Sequence, residues 1–214
     1  MIQSLYNYLI KGWTFSYKSS DVENQFKHTN RMICISAHST PFIDGILLHE
    51  ALKYFGIYNH IFYVKGLFGF SPYWCKEITP PFFLSNEIRL LNSKDSFCRV
   101  FFPSEGTIQW KTGFYVLAKE TKATIIVIGI DYQRKNIQID SCFSTEEEDY
   151  SMIKSKSIIQ LKQYSSHSCY LLWRILFGYG CLTYDISPSF LRKIRWGGSL
   201  LICLFFFPFL IKKN

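Results

Sequence analysis

RVFFPSEGTIQWKTGFYVLAKETKATIIVIGI, residues 99–130, is the stretch that decides the fold. Arg99-Val100-Phe101-Phe102 is a compact apolar run of the kind that forms a buried strand. It leads into the turn Pro103-Ser104-Glu105-Gly106-Thr107, and from Trp110 to about Lys119 the residues Phe114, Leu117 and Ala118 recur at helical spacing. Thr124 to Ile130 is the most β-branched run in the chain, the composition of a strand covered on both faces. Strand, turn, helix and strand in succession imply a parallel sheet with helices on its faces.

The same alternation is found on either side. Upstream, Met32 to Ile35 reads as a buried strand, followed by a turn holding Pro41 and by GILLHEALKYFG, residues 45–56. There Ile46, Leu47, Leu48, Ala51, Leu52 and Phe55 share a broad helical face, and Gly56 is the stop. Ile61 to Val64 is the next strand, then an aromatic-rich turn and short helix through Cys75, a short strand over Pro80 to Leu84, and a helix within residues 85–96. Downstream, Asn136 to Phe143 is a further strand, and Thr145-Glu146-Glu147-Glu148 opens a helix with a capping box, running to about Tyr164. Residues 21–31 read as a polar loop, and in residues 1–20 Leu5, Tyr8, Leu9 and Trp13 stand at helical spacing, for a helix on a membrane or packed on the core. The expected class is α/β, with a largely parallel central sheet flanked by helices.

Composition narrows the partners. The chain is 48% hydrophobic and 18% aromatic, so a lipid interface is considered before a free soluble life. A net charge of +8 favours anionic partners, among them phosphate-bearing metabolites, coenzyme A and acidic head groups. The basic residues form no stripe with stacking aromatics and no helix-turn-helix or RNA-binding signature is present, so nucleic acid is not expected. Seven scattered cysteines without a CxxC pair read as reduced, buried small hydrophobes, which places the working face in a reducing compartment. No clustered Cys and His set suggests a metal. Beyond residue 165, Tyr170 to Thr183 and Trp196 to Ile211 are apolar stretches separated by the basic cluster Arg192, Lys193 and Arg195. The second is short for a bilayer span of about 20 residues, so it dips into the bilayer, spans it, or closes over the core. The expected division is residues 1–165 as the working domain and 166–214 as a hydrophobic, membrane-associating extension.

Two turns carry candidate chemistry. His38 follows the first strand and Asp44 opens the next helix, where the positive end of the helix dipole favours a carboxylate. A neutral imidazole can take a proton from a hydroxyl near pH 7, and a carboxylate on its other nitrogen fixes the tautomer and stabilises the imidazolium. The plain alternative is a solvated turn histidine with Asp44 as a helix cap. The second turn, Glu105-Gly106-Thr107, offers backbone N–H groups, a hydroxyl and a glycine permitting close approach, which suit an oxyanion or phosphate. His28, His49, His60 and His167 have no partner pattern and read as structural or solvated.

Together these blocks resemble the glycerolipid acyltransferase family, in particular the short bacterial-type 1-acylglycerol-3-phosphate acyltransferases. Their blocks PHTSNWDF and PEGTR…WKTGFY…IVLGYIDYKRK are similar to AHSTPFIDG, residues 37–45, and PSEGTIQWKTGFYVLAKETKATIIVIGIDYQRK, residues 103–135. The resemblance implies that His38 is the general base and Asp44 its orienting partner. It further implies that Glu105, Gly106 and Thr107 shape the acceptor-phosphate site, with Lys65 and Arg134 as cations for phosphate or coenzyme. It implies acyl-CoA or acyl carrier protein as donor, glycerol phosphate or a lysophospholipid as acceptor, and membrane lipids as surroundings. No metal or redox cofactor is implied, and the active site would face the cytoplasm in the service of phospholipid biosynthesis. The sequence departs from that pattern in four places: five residues separate His38 from Asp44 where the family has four, Ser104 is inserted before Glu105, Ile108 replaces an arginine, and no arginine stands in residues 80–85. An acyltransferase for another lipid acceptor, or a non-catalytic lipid-binding scaffold, therefore stays open.

Overall fold

The computed structural model describes residues 10–37, 43–64, 73–77, 83–102 and 111–164. Gly12–Ser165 forms one compact unit built on a seven-stranded sheet. In chain order the strands are β1 (Thr14–Tyr17), β2 (Arg31–Ser36), β3 (His60–Val64), β4 (Cys75–Glu77), β5 (Phe97–Phe101), β6 (Thr124–Asp131) and β7 (Asn136–Phe143). The described helices are α1 (Ser20–Lys27), α2 (Ile43–Tyr54), α3 (Phe83–Asn92), α4 (Gly113–Thr121) and α5 (Tyr150–Tyr164).

The sheet order is β1-β7-β6-β2-β5-β3-β4. From β6 to β4 every neighbouring pair is parallel, and β7 returns antiparallel to β6 before pairing parallel with β1. The sheet is therefore largely parallel with an antiparallel arm. Alternation along β2 divides the core. Ile33 and Ile35 join Tyr63, Leu91, Phe97, Phe114, Leu117, Ile125, Val127, Ile153 and Leu161 in a cluster beneath α3, α4 and α5. Cys34, between them, points to the other face, where α1 and α2 lie. There Phe26 of α1 meets Tyr17 of β1 and Phe55, at ring separations of 5.7 and 5.8 Å.

Five stretches differ from the sequence reading. The polar stretch expected as a loop contains α1, started by Ser19, whose Oγ accepts the Val22 N–H at 3.3 Å, and by first-turn acids Asp21 and Glu23. One buried residue, Phe26, leaves no apolar period to read. Thr14–Tyr17 is a strand because β7 offers an edge, with Thr14 set against Asn136. Cys75–Glu77 is likewise a strand, set by pairing with Phe62 to Val64, and three residues are too few for a period. Phe83 and Leu84, expected in a strand, open α3, because Leu84, Ile88 and Leu91 recur at helical spacing over the core. The last helix ends where expected but begins at Tyr150: Asp149 caps it, its carboxylate accepting the Met152 N–H at 2.8 Å, while Ser144 turns the chain with the acids before it.

Beneath α3 an ionic group centred on the buried Glu87 and Arg99 ties three strands together. Arg99 Nε lies 3.0 Å from the Tyr63 hydroxyl and 3.3 Å from Glu87 Oε1, and Lys76 Nζ lies 2.5 Å from Glu87 Oε2. Burial alone would raise the Glu87 pKa, but hydrogen bonds from Lys76, Tyr63 and Arg99 bring it below the usual range. Cys34 and Cys98 are buried free thiols with sulfurs 3.5 Å apart across β2 and β5. Their mutual hydrogen bond and burial push Cys34 up, as expected of a reduced thiol. Cys169, Cys181, Cys203 and both C-terminal apolar stretches lie outside the described residues, as does the proposed extension 166–214. No helix among the described residues is long and apolar enough to cross a membrane.

His49 and His60 do have partners. His60 Nδ1 lies 2.8 Å from the Ile57 carbonyl, which only a protonated nitrogen can bond. In the neutral ring its Nε2 then accepts, and His49 Nδ1 lies 2.7 Å from it as the donor. His49 stacks on Trp74 at 4.9 Å. Burial, then the neighbouring His60 and Lys53, lower the His49 pKa to about 4, and burial lowers His60 as well. For His60, the Ile57 carbonyl and the Glu50 carboxylate oppose the shift without reversing it.

Because the unfolded chain takes up these protons first, the pair contributes no pH dependence above about pH 6.5, and stability falls as pH drops from there towards 4. Urea midpoints measured from pH 7 to 4 should fall more steeply for wild type than for His49→Gln; equal slopes would show that the pair is not linked to folding. Gly129 supplies a second test. The Tyr164 ring lies where a Cβ on Gly129 would stand. Gly129→Ala should cost about 1–3 kcal/mol in chemical denaturation, and adding Tyr164→Ala should cost less than the sum of the two single changes.

Candidate active site

Four parallel strands, in the order β6, β2, β5 and β3, present their carboxyl ends along one edge of the sheet. The chain passes from β2 to the β3 and β4 side, returns to β5, and then crosses to β6 on the other side of β2. Ligand sites of open α/β sheets lie at such a reversal, outside the carboxyl ends. Ala37, Val64 and Phe102, the described residues at the carboxyl ends of β2, β3 and β5, stand at this edge. In sequence they immediately precede His38, Lys65 and Pro103.

Of the candidate residues, Asp44 and Arg134 are described; His38, Lys65, Glu105, Gly106 and Thr107 lie outside the described residues. Asp44 is in the first turn of α2, as its sequence position suggested, and its side chain is fully buried. The helix amino end favours its negative charge. A buried carboxylate also needs hydrogen-bond donors, since water cannot solvate it. One donor is Tyr132, whose hydroxyl bonds Asp44 Oδ1. The residue follows β6 directly, and the sequence shows Ile130-Asp131-Tyr132 as a strand end without assigning the phenol any task.

Tyr132 belongs to the β6–β7 turn. There Asp131 Oδ1 accepts the N–H groups of Gln133 and Arg134, both at 3.0 Å, and Lys135 takes a φ of 50° to complete the reversal. Trp13 stands edge-on to the Tyr132 ring at 5.4 Å, and the next residue, Thr14, donates its N–H to the Lys135 carbonyl at 2.8 Å. Arg134 projects from the same turn with its side chain 85% exposed, its Nε 3.8 Å from Asp131 Oδ2. An exposed guanidinium beside a single carboxylate remains able to meet an anion. Among the described residues, no three His, Cys, Asp or Glu side chains gather in a way that would hold a metal ion.

A buried carboxylate, held at a helix amino end and bonded by a phenol, can orient and charge-balance an imidazole. Neither family models nor curated proteins match the chain. Among solved structures it is similar to the crystal structure of the 1-acyl-sn-glycerophosphate (LPA) acyltransferase PlsC from Thermotoga maritima, at 12% identity over 75% of this chain and 78% of that one, with a TM-score of 0.47.

Proposed function

We propose that the chain is a membrane-associated O-acyltransferase. It moves a fatty acyl group from acyl-CoA or acyl carrier protein to a hydroxyl of glycerol phosphate or lysophosphatidic acid, in phospholipid biosynthesis. The observation that carries this reading is Asp44: a buried carboxylate at the carboxyl edge of a parallel sheet, six positions after His38 in the chain. The resemblance of residues 37–45 and 103–135 to acyltransferase blocks supports it.

In this reading His38 takes the proton of the acceptor hydroxyl while Asp44 steadies the imidazolium. The hydroxyl oxygen bonds to the thioester carbonyl carbon, and backbone N–H groups near the Glu105-Gly106-Thr107 turn meet the oxyanion. The carbon–sulfur bond then breaks and the proton passes from the imidazolium to the departing thiolate. The products are an ester and a free thiol, with no change of oxidation state. Lys65 and Arg134 supply positive charge for the phosphates of acceptor or coenzyme, and the exposure of Arg134 suits that task. Residues 1–165 carry the chemistry, and the apolar C-terminal stretches bring it to the bilayer, with the site on the cytoplasmic side. Ile108, in place of the family's arginine, favours testing acceptors beyond lysophosphatidic acid.

The test is label transfer from acyl-CoA to a panel of glycerol phosphate, lysophosphatidic acid and other lysolipids. Wild type should acylate at least one acceptor. His38→Ala should lose roughly 10²- to 10⁴-fold in rate, the usual contribution of a general base, while still folding and binding liposomes. A folded, liposome-bound wild type that acylates nothing would favour a non-catalytic lipid-binding scaffold instead.

A further inference from the structure

The preceding reading gives Asp44 the task of holding His38 and says nothing of what holds Asp44. We infer that Tyr132 is a positioning residue of this site: its hydroxyl fixes the Asp44 carboxylate and, through it, the imidazole. This inference rests on His38 and Asp44 acting as a base and its partner. It makes the antiparallel arm of the sheet part of the catalytic apparatus.

The geometry carries it in two steps. Asp44 is fully buried, so its orientation is set by protein donors, and the Tyr132 hydroxyl bonds one of its two oxygens, Oδ1. A phenol suits this role because its donor is neutral and its ring has few torsions to fix. The ring itself is held from the far side of the molecule's chain order. Trp13 abuts it, the Asp131 carboxylate shapes the turn from which it projects, and Thr14 ties that turn to β1. The charged groups of the turn, Asp131 and Arg134, lie within 3.8 Å of each other and offset one another. A carboxylate held at Oδ1 keeps one orientation, and so keeps its charge in one place as an imidazolium forms.

Tyr132→Phe removes the hydroxyl and keeps the ring against Trp13. With the transfer assay, kcat should fall roughly 10- to 100-fold, the usual scale for losing one hydrogen bond to a charged group. KM for donor and acceptor should stay within about twofold, and the acid limb of the kcat profile should move. A kcat near wild type with an unmoved limb, or an effect confined to KM, overturns the inference. The second measurement needs no turnover: the titration midpoint of His38, followed by the NMR of its ring protons in the full chain, should differ between wild type and Tyr132→Phe. An unmoved midpoint overturns the inference whether or not wild type transfers acyl groups, whereas inactivity of wild type alone counts only against the acyltransferase reading. If Tyr132→Phe does not fold, Tyr132→Leu, which also lacks the donor, carries the same expectations in both measurements.

Discussion

β2 is held between two parallel neighbours, and the rest of the unit depends on that double pairing. Met32 lies opposite Cys98 on β5 and Thr124 on β6, and the register continues unbroken to Ile35 on both sides. From Met32 to Ser36 every residue is buried, so both faces must be covered, which requires helices on each side. A slip of one residue would exchange Ile33 and Ile35 with Cys34 between the two cores. The register therefore fixes where the chain leaves the sheet, and α2, with Asp44 in its first turn, begins a few residues later.

Buried polar groups repeat one pattern across the molecule, each joining side chains from separate elements. Glu87 of α3 meets Arg99 of β5, His49 of α2 meets His60 of β3, and Asp140 of β7 accepts from Lys18 and from Tyr164 of α5. Pairs of this kind often add little net stability over apolar packing, but breaking one leaves an uncompensated buried group. Their effect is to admit one relative placement of helix and strand. Asp44 and Tyr132 follow the same pattern at the edge where the candidate chemistry lies.

Where a segment is apolar on both faces, or long and periodic, its structure was legible in the sequence. β2, β5 and β6 are such runs, and the face of α2 and its stop at Gly56, with φ of 83°, follow from spacing and from the need for a left-handed residue. Elements set by tertiary pairing were not legible. β4 exists because β3 offers an edge, β1 because β7 does, and α1 holds one buried side chain against the sheet. At the site, Asp44 was legible from its place before an amphipathic helix. Tyr132 was not, because the contact spans 88 residues and nothing local marks a tyrosine after a strand as a hydrogen-bond donor to a distant carboxylate. The same holds for His49 and His60, whose pairing depends on α2 lying over β3.

The arm formed by β1, β6 and β7 also sets an order of events during synthesis. Thr14, near the start of the unit, takes its place beside Asn136 on β7. Ribosomes add roughly 5–20 residues each second, so β1 waits on the order of ten seconds for its partner to be made. Through that interval the segment around Trp13 has no edge to join, while β2, β3 and β5 can already associate. Such long-range pairing slows folding and exposes strand edges meanwhile. The turn bearing Tyr132 emerges just before β7, so the phenol that bonds Asp44 arrives late, and the site would be completed by the last strand pairing rather than the first.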